Sequence, residues 1–315
     1  MIAKILKSVS GFPGVNYNTN KIDRDKGELL RVANFGSLQA MGRLRPQDYV
    51  NYLLLISRLN TRVTKPQFHA VISAKGKSYD KDSLSAIADK WLKEMGYGEQ
   101  PYLIVFHKDT DNNHVHIVTT RVTREGQKIN SAYENIRSLK CLNNVLGYSL
   151  GMQYSFSTAA QFYMVLESFG YPGKDFDFKK LEEKISRHKT DKVRALEIRQ
   201  LLEAFRLEKD IVSILRSKNG LELIFHAAEG KAPYGYSIID HETKSVFKGS
   251  EVMPLKLLLP GSSVITKTDP VAESDTEKDL PRVYVGPIRI ANDIDDEAIH
   301  GRNRRRKKKA RTNSR

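Results

Sequence analysis

Three of the eight histidines in this 315-residue chain fall within ten consecutive positions, inside the stretch HKDTDNNHVHIV at 107–118. His114 and His116 stand two apart among Val115, Ile117 and Val118. That spacing and composition predict a β-strand on which both imidazoles share one face. The preceding run PYLIVFH ends at His107 and reads as a second strand, and KDTDNN between the two is rich in turn formers. A hairpin over 102–121 therefore returns His107 to the pair, and three convergent imidazoles make a ligand set for a divalent cation. A cation held by neutral ligands keeps its full charge and open coordination positions, which suits it to polarise a phosphoryl group. The structural alternative is a set of packed histidines lining a sheet face. A third histidine brought to the same end of the sheet argues for the metal.

Phosphoryl displacement also needs an attacking group, either water or a side chain. Cys141, among Leu139, Leu142 and Leu146 of a predicted helix, reads as a packing residue, and no serine has an activating context. The fourteen tyrosines remain. Tyr17 lies among Gly14, Asn16, Asn18 and Asn20, a turn-prone setting expected to expose its hydroxyl, with Lys21 and Arg24 near enough to favour phenolate or hold phosphate. Its rival is Tyr133 in SAYENIRSL, at the start of a predicted helix. Tyr49 and Tyr52 sit on a helix and read as packing. Asp109, two residues after His107, is either an imidazole-orienting carboxylate or an Asx turn residue. His69 in FHAVISAK is either a base or phosphate contact or a satisfied strand histidine. Arg121 and Arg124, at the end of the histidine strand, are candidate DNA-phosphate contacts, with solvated arginines as the alternative. His188, His226, His241 and His300 have no such company.

The elements that must position these groups alternate strand and helix: IAKIL as an opening strand, a helix over 47–59, a strand over 68–75 and a helix that Asp82 can cap. Leu84, Ile87, Ala88, Trp91, Leu92 and Met95 form that helix's apolar stripe, which makes Trp91 core rather than a base-stacking platform. The hairpin and a helix over 135–147 follow. An antiparallel hairpin without regular helical crossovers predicts an α+β fold: about five antiparallel strands, with helices on one face and the histidines on the other. A helical segment over 151–220, a small β unit over 221–260 and a disordered tail over 261–315 complete the expected organisation, after a catalytic core at 1–150. The apolar fragment RVYVGPIRI in the tail is a candidate docking segment.

Net charge is +15, but its distribution matters more than its size. The last fifteen residues, GRNRRRKKKARTNSR, hold nine basic residues and no acid, so 43 basic and 37 acidic residues leave +6 elsewhere. Arg304, Arg305, Arg306, Lys307, Lys308 and Lys309 form a polycation suited to phosphate backbones. No apolar run is long enough to span a bilayer, no signal-peptide hydrophobic region is present, and the single cysteine excludes an intrachain disulfide. The single cysteine fits a reducing compartment.

The hairpin HKDTDNNHVHIVTTRV resembles the metal motif of conjugative relaxases, the mobilisation nucleases of the HUH endonuclease class. GVNYNTNKIDRDKGELL resembles the segment in which that family places its nucleophilic tyrosine, and FHAVISAK matches the intervening strand. The resemblance covers about residues 1–220. It implies that His107, His114 and His116 hold magnesium or manganese, with zinc as the alternative. It also implies that Tyr17 attacks single-stranded DNA at a transfer origin, leaving a 5′-phosphotyrosyl bond that is later religated. The implied setting is the bacterial cytoplasm, with an accessory mobilisation protein and coupling or secretion machinery as partners and no membrane insertion. No phosphate-binding loop of the Walker type is present, so no intrinsic motor is expected. A replication initiator or transposase using Tyr133, or a non-catalytic DNA-binding protein, are the competing readings.

Overall fold

The computed structural model describes residues 1–41, 44–208, 210–228 and 231–259. The basic run Arg304 to Lys309, His300 and the fragment RVYVGPIRI lie outside the described residues. The chain forms two compact units, one over Met1–Leu146 and a second beginning at Gly147.

The first unit is built on a sheet of β1 (Ile2–Ile5), β2 (Gly27–Ala33), β3 (Gln67–Ser73), β4 (Tyr102–His107) and β5 (His114–Thr120). The strand order is β1-β3-β5-β4-β2, with every neighbouring pair antiparallel. The expected α+β class with a five-strand antiparallel sheet is therefore present. Register sets the faces. His107 pairs with His114, Val105 with His116, Val71 with His116 and His69 with Val118. Because side chains alternate, these residues share one face, and Phe68, Ala70, Ile72, Val115 and Ile117 share the other.

The second of those faces is covered by α3 (Lys81–Glu94) and α4 (Glu134–Val145). Trp91 is fully buried, its ring 6.1 Å from that of Phe68, and its indole N–H donates to Ser138 O of α4 at 3.0 Å. The N-cap of α3 is Asp80, whose carboxylate accepts from Ser83 N, two residues before the expected cap at Asp82.

The histidine face is not bare. Over it lie α1 (Pro13–Asp23) and α2 (Pro46–Ser57), whose Phe12, Val15, Tyr49, Val50 and Leu53 form a core cluster with Leu103 and Val118. Sequence had suggested a turn-prone segment around Tyr17; the structure has a helix there. Pro13 occupies the first turn, where its missing N–H is harmless. Phe12 and Val15 bury against the sheet. The polar residues that argued for a turn are absorbed locally: Asn18 Nδ2 donates to Gly14 O at 2.7 Å and Thr19 Oγ1 to Val15 O at 3.1 Å. Burial of two large side chains outweighs the weak helix propensity of Asn and Gly.

The second unit contains α5 (Tyr148–Gly151), α6 (Ala159–Ser168), α7 (Phe178–Ser186), α8 (Lys192–Phe205) and α9 (Ile211–Asn219). A separate three-strand sheet follows, β6 (Leu221–His226), β7 (Gly235–Asp240) and β8 (Ser245–Lys248), then α10 (Gly249–Val252) and α11 (Leu255–Leu258). Helices α8 and α9 share one core with this sheet, in which Ile198, Leu202, Leu215, Leu221 and Ile238 are fully buried.

Candidate active site

The hairpin does what its period predicts. His107, His114 and His116 are all buried, and one ligand nitrogen from each lies within 4.8 Å of the others. Each imidazole is oriented through its second nitrogen. Asn18 directs its amide N–H2 at Gly14 O, so its Oδ1 faces His107 Nε2 at 2.8 Å and accepts from it. The lone pair of His107 is thereby on Nδ1. His114 Nδ1 donates to Asn112 O at 3.0 Å, with Thr110 Oγ1 at 3.1 Å, which puts its lone pair on Nε2. His116 Nδ1 is 2.9 Å from His69 Nε2, and among the described residues His116 Nε2 has no hydrogen-bond partner. Burial, then the neighbouring positive groups, hold His116 well below its ordinary pKa, and burial takes His69 down to about 4. His116 is thus held as a neutral imidazole, the form that coordinates a cation. The residues present fit a divalent metal, and each ligand's other nitrogen has a hydrogen-bond partner that fixes its ring.

Helix α1 sets Tyr17 over this cluster. The half-buried Tyr17 ring lies 5.7 Å from the ring centroids of both His107 and His116. Lys21, one turn on, places Nζ 5.7 Å from the Tyr17 centroid and 2.5 Å from Asp109 Oδ2. Asp109 thus meets Lys21 rather than an imidazole. The helix approaches the sheet this closely because residue 14 is glycine. A Cβ there would lie 2.9 Å from both Gln67 Oε1 and His69 Nδ1, and Gly14 N donates to that Gln67 oxygen at 2.8 Å.

The remaining candidates are placed as follows. Arg24 and Arg124 are exposed, the latter donating to Asn34 O at 2.6 Å. Arg121, read as a DNA-phosphate contact, is only 6% exposed. Its guanidinium makes a two-pronged ion pair with Glu134 at 2.7 and 2.8 Å and lies 5.0 Å from the Phe68 ring centroid, so its charge is used inside the fold. Tyr133 is 80% exposed and caps α4 with φ 50°, on the helix covering the face opposite the histidines. Tyr49 is core. Cys141 is half-buried, and burial pushes its thiol pKa up, away from nucleophilic use.

Tyr17 and the three histidines fall within a stretch that matches known proteins in sequence. Residues 17–146 match the relaxase family, described as its MobA/VirD2-like nuclease domain. The matched stretch makes up most of the first unit. The chain is also 28% identical over 109 residues to Protein TraI of Escherichia coli, a match covering 34% of this chain and 15% of that protein. No solved structure matches it. The relaxase match begins at Tyr17 itself and ends at Leu146, where the first compact unit ends.

Sequence reasoning missed three residues of this site, Asn18, Gly14 and Asn112, while Lys21 was among its candidates. Asn18 and Gly14 lie four apart and Lys21 three further on, a single helical face that becomes visible once α1 is a helix. Asn112 acts through its carbonyl oxygen, for which a side-chain motif carries no signal.

Proposed function

We propose that the chain nicks one strand of DNA at a transfer origin by transesterification on Tyr17. The observation that carries this reading is the position of the Tyr17 ring, 5.7 Å from two rings of a buried histidine cluster that can hold a cation. In the reaction the Tyr17 oxygen bonds to the scissile phosphorus and the bond to the 3′-oxygen breaks. The phenol proton is balanced by the proton gained at the released 3′-hydroxyl. One phosphodiester is exchanged for another, so a 3′-hydroxyl returning to the site reverses the step and rejoins the strand. A divalent cation, magnesium or manganese, held by His107, His114 and His116 supplies charge stabilisation at the phosphate oxygens. The chain's own residues do the rest: Asn18, His69 and Asn112 orient the three imidazoles, and Gly14 sets the height of the helix that carries Tyr17. Lys21 adds positive charge beside the phenol, and Arg24 and Arg124 are available at the surface for phosphates. The basic run at 304–309 adds sequence-independent affinity for DNA. Tyr133 is a weaker nucleophile candidate, because its helix covers the other face of the sheet.

Among the described residues no helix is long and apolar enough to cross a membrane. We place the protein's action in the bacterial cytoplasm, with an accessory mobilisation protein exposing single strand at the origin and coupling or secretion machinery receiving the product.

The test is nicking of a supercoiled plasmid carrying the origin from the chain's own element, with manganese or magnesium, stopped with detergent and protease. Wild type, Tyr17→Phe and His114→Ala are compared, and the adduct peptide is identified by mass spectrometry. Nicking that leaves DNA on Tyr17 and is lost in both variants is the expected result. An adduct on Tyr133, or cleavage with no adduct, overturns the mechanism.

A further inference from the structure

A cavity of about 520 Å³ lies in the second unit, beyond the relaxase match, between the start of α6, the β6–β7 hairpin and the segment around α10. Among the described residues no acidic side chain lines it. Gln161, in the first turn of α6, is only 3% exposed and lines this cavity. Its Oε1 accepts from Ser157 N at 2.7 Å and Ser157 Oγ at 3.0 Å, which fixes the amide's orientation. Its Nε2 is then a buried donor with no partner among the described residues. Buried donors of this kind are rare in folded proteins, and one at a binding cavity points to an absent acceptor. The same acceptor would meet the positive end of α6, where Thr158 Oγ1 already accepts from Gln161 N at 3.3 Å. Lys248, also lining the cavity, is exposed and has no ion pair among the described residues. Three independent sources of positive potential thus converge, and the carboxylate bonded nearby, Glu251, is engaged by Lys248 N at 2.9 Å.

The rim adds a second chemistry. Tyr234 is 77% exposed and its ring lies 6.2 Å from that of His226, tilted by 32°. His226 Nε2 is tied to Ser237 Oγ at 3.0 Å. A solvent-exposed tyrosine beside a cavity rich in donors is a stacking surface for a planar group. Donors for an anion and an aromatic surface for a flat ring together describe a nucleotide.

The geometry points to a second DNA-binding site in this pocket: one nucleotide of a single strand, its phosphate at Gln161 and Lys248 and its base against Tyr234. The choice of a polymer rests on the nuclease reading of the first unit, since a free nucleotide presents the same chemistry. A site here lets the chain hold its strand at two places, one in each compact unit.

The experiment uses the full chain in EDTA, so that no cleavage occurs, with a fluorescent oligothymidylate carrying 4-thiothymidine. Binding is read by anisotropy, and photo-crosslinked peptides are mapped by mass spectrometry. A crosslink on Tyr234 is expected, and Tyr234→Ala weakens binding roughly fivefold or more. Lys248→Gln lowers the slope of log affinity against log salt by about 0.7. Gln161→Glu keeps the acceptor for Ser157 but sets a carboxylate against the phosphate, and weakens binding about tenfold. Wild-type affinity in all three variants, with every crosslink in residues 1–146, overturns the proposal. Displacement of the oligonucleotide by an equal concentration of free thymidine monophosphate overturns the choice of polymer. Plasmid nicking, run in parallel with manganese, separates the two readings. A Tyr234 crosslink without any nicking keeps this pocket and sinks the nuclease mechanism, whereas nicking without pocket crosslinks does the reverse.

Discussion

Replacing Asn18 with alanine probes whether the histidine cluster is organised for a cation. Asn18 is completely buried and spans helix and sheet, donating to Gly14 O at 2.7 Å and accepting from His107 Nε2 at 2.8 Å. The Gly14 carbonyl keeps its helical partner when the side chain is removed. The His107 N–H does not, and an unsatisfied buried donor costs about 1–3 kcal/mol. Apo Asn18→Ala should therefore lose about 2 kcal/mol of stability. Losing the group that fixes a ligand's tautomer and direction should also weaken metal binding about 10- to 100-fold, equivalent to about 1.4–2.8 kcal/mol. Asn18→Asp retains an acceptor for His107 and adds negative charge near the cation, so it should bind manganese at least as tightly as wild type. The assays are calorimetric titration with manganese in a Tyr17→Phe background and denaturant unfolding in EDTA. If Asn18→Ala loses stability yet binds manganese with wild-type affinity, Asn18 is only a packing residue and the tautomer argument fails.

Gly14→Ala places a methyl 2.9 Å from Gln67 Oε1 and His69 Nδ1, so α1 must lift; nicking should slow at least about tenfold while circular dichroism stays unchanged. A wild-type rate would show that Tyr17 tolerates displacement. Glu134→Gln leaves the buried Arg121 guanidinium without its counter-charge and should cost about 3 kcal/mol in denaturant unfolding, with the salt dependence of DNA binding unaltered. A changed salt slope would return Arg121 to the DNA surface. In the second unit Asp240 is buried, which alone would raise its pKa. Hydrogen bonds from Arg194 and Thr243 outweigh that and hold the carboxyl below its ordinary value. A depressed carboxyl contributes stability above its unfolded pKa and loses it as pH falls through the folded value. Asp240→Asn should therefore flatten the fall in stability below about pH 4, measured by thermal unfolding; an unchanged acid limb refutes the assignment.

The histidine hairpin was legible because a period-two pattern of β-branched residues, broken by a polar turn, leaves little choice of structure or face. The α3 stripe was legible for the analogous reason at helical period. Helix α1 was not, since its Asn and Gly content signals a turn and its helical state depends on Phe12 and Val15 finding the sheet. Strand β2 went unread because GELLRVA is an edge strand: half-buried, paired only to β4 and interrupted between Leu29 and Arg31. Strand His69 was noticed, but its partner follows from register, which a single sequence does not reveal. Arg121 looked like a surface cation for the same reason: Glu134 lies thirteen residues away across a turn. The Tyr17–triad pairing came from family resemblance, and α1 explains how it is held.

The strands carrying the three histidines are the inner ones of their sheet, each flanked on both sides, while α1 is a short helix laid on the outer surface. Backbone amides at the centre of a sheet exchange with solvent only through large openings, whereas surface elements open locally at lower cost. In a hydrogen-exchange experiment Ile117 and Val118 should hold their protons long after the residues around Tyr17 have lost theirs. On the proposed mechanism the DNA end is attached to the more yielding of the two halves. The tethered strand can then be drawn aside for a transfer step and brought back for rejoining without disturbing the strands that hold the metal.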